Sequence, residues 1–233
     1  KQSQRQTVRQ IAVPSHNMEV NKMERSNVWS SYNDDQLTEL EHISALYKKC
    51  LDEGKTEREC VKIAVRMAEE KGYRNLKELI RTGSQIRTGD KVYAICMNKS
   101  ISLFNIGKKP LEEGMNILGA HIDSPRMDVK QNPLYESDEF AYLDTHYYGG
   151  IRKYQWVSIP LELRGVVAKK DGSVVEVQIG GQPGDPVLTI PDLLPHLADK
   201  QAKEPLWQAI KGEDLNIMVG SRPYSDEEEK DPV

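Results

Sequence analysis

Cysteine is scarce: three in 233 residues, Cys50, Cys60 and Cys96, odd in number and widely spaced. That argues against a disulfide framework and against a zinc pattern of the CxxC kind, and it suits a reducing compartment, hence the cytoplasm. Long apolar runs are missing. Mean hydropathy is -0.63, and no window approaches the roughly 18 apolar residues that mark a membrane helix. Residues 1–25 lack the apolar centre of a secretory signal. There is no excess of positive charge: 32 Lys and Arg face 36 Asp and Glu, for a net charge of -4 and a pI near 5.8. A nucleic-acid binder with a basic stripe is thereby excluded. HExxH, Gly-x-Ser-x-Gly and Walker motifs are absent. An initiating Met is absent too: the sequence opens at Lys1 and stops at Val233, just after the acidic run Asp226–Asp231. It is therefore expected to be part of a longer polypeptide.

What is present suits one large domain or two small ones. The first 30 residues are polar and mixed, and read as an arm. Residues 33–54 read as a helix. Asn33 or Asp34 can cap it, Leu37, Leu40, Ile43, Leu46 and Tyr47 form one apolar face, and Gly54 ends it. Thr56 opens a second helix, with Glu59 three residues on completing a capping box and Gly72 closing it. Cys60, Ile63, Ala64 and Met67 carry its apolar face. The two helices make a hairpin, with Cys50 and Cys60 as packed thiols near its turn.

Beyond Asp90 the pattern changes. Lys91–Met97 and Ser100–Ile106 flank a tight Asn98-Lys99 turn and read as a β-hairpin. Met115–His121 is an almost wholly apolar run that predicts a strand buried on both faces. Helices followed by buried strands suggest an α/β fold or an α-β-α sandwich. After about residue 131 helical periodicity fades. Segments 156–168, 173–179 and 186–190 read as strands, separated by turns at Lys170-Asp171-Gly172 and at residues 180–184. That reads as a β-rich unit, with a domain boundary between Lys130 and Pro133.

Chemistry concentrates in Gly119–Lys130, GAHIDSPRMDVK. A strand ending in His121, with Asp123 two residues on, places an imidazole at a strand's carboxyl end, where catalytic groups of α/β sheets collect. The Asp can hold the imidazole from behind while a ring nitrogen faces a metal. His-x-Asp by itself is a weak signal, and packing or surface roles remain open. A zinc site needs three or four protein ligands, and His16, His42, His146 and His196 lie elsewhere in the sequence. In Thr145–Trp156 the aromatics Tyr147, Tyr148, Tyr154 and Trp156 read first as packing or interface residues, with His146 or Tyr147 lining a pocket as the alternative.

GAHIDSPRMDVK, QNPLYE, THYYGGIRKYQWVSIPL and TIPDLLPHLADKQ, in this order, give the sequence a specific resemblance to the aspartyl aminopeptidase / aminopeptidase I family of two-zinc aminopeptidases, above all to its bacterial members. The resemblance runs from about residue 10 to the end. It implies part of an α-β-α sandwich zinc-peptidase domain plus a β-rich inserted oligomerisation domain. Residues 1–131 would form the N-terminal part of the catalytic domain, and 132–233 the inserted domain, which need not be complete here. By position His121 resembles the first zinc ligand and Asp123 the carboxylate that orients it. His196, beside Asp192, matches a histidine that in relatives reaches a partner subunit's active site; the alternative is a packed turn. The cofactor implied is Zn2+, two per complete active site. The partners implied are peptide substrates, copies of the same chain (a dimer building toward a larger assembly) and the remaining C-terminal half of the enzyme, which would carry the other zinc ligands and the general base. Neither nucleic acid nor membrane is expected. The reading of function is removal of N-terminal residues from peptides, by an enzyme of which this chain is the N-terminal half and inactive alone. The alternative is a non-catalytic oligomerisation or scaffold fragment.

Overall fold

The computed structural model of the chain describes residues 26–223, so the N-terminal arm up to residue 25 and the acidic run Asp226–Asp231 lie outside the described residues. The chain divides into two units, Lys1–Leu46 and Tyr47–Val233.

In the first unit a single 3-10 turn, Val28–Ser31, is capped by Asn27, whose side chain accepts from the Trp29 amide at 3.1 Å. Helix α1, Asp34–Glu53, starts here and continues into the second unit. Its start is set as the sequence predicts. Asn33 Oδ1 accepts from the Gln36 amide at 2.9 Å, and Gln36 Oε1 accepts from the Asn33 amide at 3.0 Å. These bonds satisfy donors that a helix start leaves free. The stripe is less buried than an apolar face suggests: Ile43 remains 56% exposed.

In the second unit α1 ends near Gly54 and helix α2, Glu57–Glu70, follows. A Cβ on Gly54 would stand 2.9 Å from the Cys50 carbonyl oxygen and 3.0 Å from Cys60 Sγ, so only glycine fits the tight turn. The expected capping box is present at Thr56 and Glu59. Next come the short strand β1, Arg74–Asn75, helix α3, Leu76–Arg81, and strands β2, Lys91–Cys96, and β3, Ser100–Asn105. They form a sheet of order β1-β2-β3, with β1 parallel and β3 antiparallel to β2. Val61, Ile63, Ala68, Leu79, Val92 and Tyr93 are buried where α2 and α3 meet this sheet. The hairpin turns through Met97 and Asn98, both in the left-handed region.

The predicted strand Met115–His121 is not formed. These residues have no strand pairing, and Ile117 and Leu118 are 79% and 101% exposed. A strand buried on both faces needs hydrogen-bonded neighbours and a packing layer on each side. Among the described residues, no strand pairs with this run.

The second sheet has antiparallel order β4-β5-β8. Its strands are β4, Arg126–Ser137, and β5, Phe140–Tyr148, with β8, Ile217–Gly220, arriving late in the chain. Strand β4 passes through the composition shift at residue 131, with a register irregularity between Val129 and Leu134. Between β5 and β8 lies a two-stranded hairpin, β6, Leu163–Ala168, and β7, Val174–Ile179. The predicted strand 156–168 is thus shortened to β6. The segment 186–190 makes only the isolated bridges Leu161↔Leu188 and Thr189↔Met218. Its apolar side chains still serve the core: Leu188, Ile190, Ile210, Leu215 and Ile217 form the buried cluster, with Leu143, Tyr154 and Trp156 packed against it. The buried Thr145 hydroxyl donates to the Leu215 carbonyl and anchors β5 to this cluster.

Charge joins α2 to the β-rich part. Glu59 meets Arg164 of β6 at 2.7 Å, Glu57 meets Arg126 of β4 at 3.1 Å, and Lys62 pairs with Glu176 of β7. The fold is mixed α/β. Among the described residues no helix is long and apolar enough to cross a membrane.

Candidate functional site

Gly119–Pro125 enters β4 as extended chain without regular pairing. His121 projects from it with its side chain 85% exposed. Its Nδ1 lies 3.0 Å from the Asp123 carbonyl oxygen and 3.3 Å from Asp123 Oδ1. Nε2 has no hydrogen-bond partner among the described residues. The other oxygen, Asp123 Oδ2, accepts from the Tyr148 hydroxyl at 2.8 Å. This hydrogen bond holds the Asp123 carboxyl below the usual aspartate range, with His121 adding to the effect. The same bond pushes the Tyr148 phenol up, because its proton is shared with an anion.

Tyr148 closes β5 and stands in register with Arg126, the first residue of β4. The Arg126 guanidinium lies 4.3 Å from the centre of the Tyr148 ring, within cation–π range. Its nitrogens reach Asp128 Oδ1 at 2.8 Å, Glu57 Oε1 at 3.1 Å and the Ser124 carbonyl at 3.4 Å. Gly149 follows with φ +75° and turns the chain close to Pro125, 3.5 Å from where its Cβ would stand. Beside Pro125 opens a cleft of about 490 Å³, lined further by Gly150, Ile151, Arg152, Gln155 and Trp156.

The structure brings His121 and Asp123 together and leaves His196 apart. His196 is exposed in a stretch that holds Pro191 and Pro195, and no hydrogen bond or ion pair among the described residues joins it to His121 or Asp123. Asp192 accepts from the Leu193 amide at 2.8 Å and from Gln201 Nε2 at 2.9 Å, which orders the start of that stretch. His146 stacks on Tyr147, and the Tyr147 ring would clash with a Cβ on Gly212. The Tyr147 ring thus lies against Gly212, with the residue still 40% exposed.

Residues 50–232 match the family described as aminopeptidase I zinc metalloprotease (M18). The chain belongs to the M18 family. It is similar to a probable M18 family aminopeptidase 1 of Clostridium acetobutylicum, at 50% identity over 210 residues, 90% of this chain and 45% of that protein. A counterpart from Thermotoga maritima is 44% identical over 209 residues, 90% of this chain and 44% of that protein. Among solved structures, the M18 aminopeptidase from Thermotoga maritima superposes with a TM-score of 0.80 at 43% identity, covering 91% of this chain and 44% of that one. Aminopeptidase I from Clostridium acetobutylicum gives 0.76 at 46% identity, covering 88% and 45%. The chain thus spans somewhat under half the length of these relatives.

The M18 family is described as a zinc metalloprotease family, and the donor chemistry at His121 fits a zinc ligand. A ligating histidine has one ring nitrogen held by a carboxylate or carbonyl and the other presented outward. Nδ1 and Nε2 of His121 are disposed in that way. Among the described residues no group of three or more His, Cys, Asp or Glu side chains gathers around a common point, so these residues offer one ligand and its carboxylate partner. Sequence reasoning had no sign of Tyr148, Arg126 and Glu57 behind that pair. Their signal is the Arg126↔Tyr148 register, a relation between strands that no spacing along the chain displays.

Proposed function

We propose that this chain is part of a two-zinc aminopeptidase that removes N-terminal residues from peptides, and that His121 is one of the zinc ligands. The observation that carries the proposal is the His121–Asp123 contact, which leaves Nε2 facing outward in a chain of M18 membership. Bound zinc would supply Lewis acidity and lower the pKa of water at the scissile carbonyl. His121 would hold it through the Nε2 lone pair. Asp123 would keep Nδ1 in the tautomer that frees that lone pair and would raise the basicity of the ring.

We assign residues 1–131 to the catalytic domain and 132–233 to an inserted oligomerisation domain. The β-rich content after residue 126 supports the division, as does its exposed apolar surface, where Leu193, Leu197, Leu206 and Trp207 are 54%, 70%, 60% and 71% exposed. That surface suits a homo-oligomer, a dimer building toward a larger assembly, in which His196 would reach a partner's site. The remaining ligands and the general base would come from the C-terminal half. The run 115–121, unpaired among the described residues, would face that half. Free thiols at Cys50, Cys60 and Cys96 suit the reducing cytoplasm. One observation favours a second reading, a non-catalytic oligomerisation or scaffold fragment: the described residues alone gather no three metal-capable side chains.

The test compares the complete gene product, its His121→Ala variant and the 233-residue chain alone. We expect chelator-sensitive aminopeptidase turnover from the first, with zinc and turnover lost in the second and absent in the third. Normal zinc content and rate in His121→Ala would remove the ligand assignment. No turnover from the complete product would favour the scaffold reading.

A further inference from the structure

We infer that Tyr148 is a positioning residue for His121, acting through Asp123: the phenol hydroxyl fixes the carboxylate, and the carboxylate fixes the imidazole. The inference rests on the reading of His121 as a metal ligand.

Asp123 sits on a segment without strand pairing, and its side chain is 41% exposed. A carboxylate so placed turns readily about its last torsion, so that either oxygen can face a given partner or water. Here the two oxygens are assigned. Oδ1 faces His121 Nδ1, and Oδ2 accepts from Tyr148 at 2.8 Å. Tyr148 is the fixed point of the pair because its backbone belongs to β5 and its ring lies under Arg126. Arg126 is itself held. Its side chain is 26% exposed and that of its partner Glu57 16% exposed. Asp128 and the Ser124 carbonyl accept from the same guanidinium. A continuous line of contacts therefore runs from the first turn of α2 through Glu57, Arg126, Tyr148 and Asp123 to the imidazole. Only its last member has an open ring nitrogen.

Partners that stand behind a metal ligand typically change metal affinity by about 10–100-fold when removed. Tyr148→Phe deletes the hydroxyl and keeps the ring beneath Arg126, so it isolates the bond to Asp123. The experiment uses the complete gene product with Co(II) as the probe. Affinity is read by chelator competition, ligand geometry by the visible d–d absorption, and folding by circular dichroism. Tyr148→Phe is expected to weaken Co(II) binding about 10-fold and to change the d–d band. Asp123→Ala is expected to weaken it by about 10–100-fold. The double variant should be no weaker than Asp123→Ala, because the phenol acts only through the carboxylate.

Wild-type affinity and spectrum in Tyr148→Phe, with binding lost in His121→Ala, would overturn the positioning role and leave the ligand reading standing. Additive losses in the double variant would overturn it as well. Wild-type affinity in His121→Ala would overturn the ligand reading and this inference with it. Should Tyr148→Phe not fold, Arg126→Met frees the ring and has the same expected sign; unchanged Co(II) binding there would overturn the inference.

Discussion

Glu59 uses its two carboxylate oxygens for two different tasks: Oε2 accepts from the Thr56 amide at 2.9 Å and closes the cap of α2, while Oε1 holds Arg164 of β6 at 2.7 Å. One side chain thus caps the start of a helix and ties it to a strand more than a hundred residues later in the sequence.

Removing that carboxylate should cost more than removing the cap alone. Thr56→Ala loses the capping hydroxyl and is expected to cost about 1 kcal/mol. Glu59→Ala also strips Arg164, whose side chain is only 14% exposed, of one of its two carboxylate partners. With that loss included, a cost of about 2–3 kcal/mol is expected. Urea denaturation of the two variants measures the difference, and equal midpoints would show that the Arg164 contact adds nothing.

Acid should weaken the same junction. Burial pushes the Glu59 carboxyl up, but the hydrogen bond and charge of Arg164, with Thr56, outweigh it and leave the group below the ordinary glutamate value. A carboxylate depressed in the folded state stabilises fully above its unfolded pKa, about 4.3. That contribution is lost as pH falls through the lower folded value. Glu59→Gln should therefore be less stable than the parent near neutrality, with the two converging below about pH 4. Urea midpoints taken from pH 7 downward, each pair at matched pH, test it; a constant gap would contradict the linkage.

The Thr145 hydroxyl should count for more than its size. It is 2% exposed and donates to the Leu215 carbonyl in the core. Thr145→Val keeps the shape and leaves that carbonyl without its side-chain donor, at an expected cost of about 1–3 kcal/mol. Thr145→Ser, which keeps the donor, should cost less than Thr145→Val. The reverse order in thermal melts would show that packing, not the hydrogen bond, holds β5 to the core.

If His196 serves a partner's active site, His196→Ala in the complete gene product should lower turnover while zinc content stays at the parent level. Unchanged turnover would assign the residue to its proline-rich turn.

Local signals carried the legible part of the fold. Asn33, Thr56 with Glu59, and Gly54 name the helix ends because caps and tight turns are made by residues a few positions apart. The β2–β3 hairpin was legible for the same reason. Met115–His121 misled because an apolar run states what a segment would bury, not whether a neighbour exists to bury it; Leu118 stands fully exposed. Of the site, His121 and Asp123 were readable as a motif, since only Ile122 stands between them. Tyr148 was readable only as one aromatic among several. Its meeting with Asp123 depends on how β4 pairs with β5, and the Arg126–Glu57 pair on where α2 docks.

The network behind His121 also has an order in time. Glu57 and Arg126 are 69 residues apart, and Tyr148 and Asp123 are 25 apart. At roughly 5–20 residues per second, a ribosome makes the longer interval in about 3–14 s. Every member of the line is therefore synthesised before the late strand β8, Ile217–Gly220, exists. The contacts behind the imidazole thus use residues no later than Tyr148, while the strand that carries Tyr148 takes its outer neighbour, β8, and its anchor at Leu215 from the last part of the chain to be made.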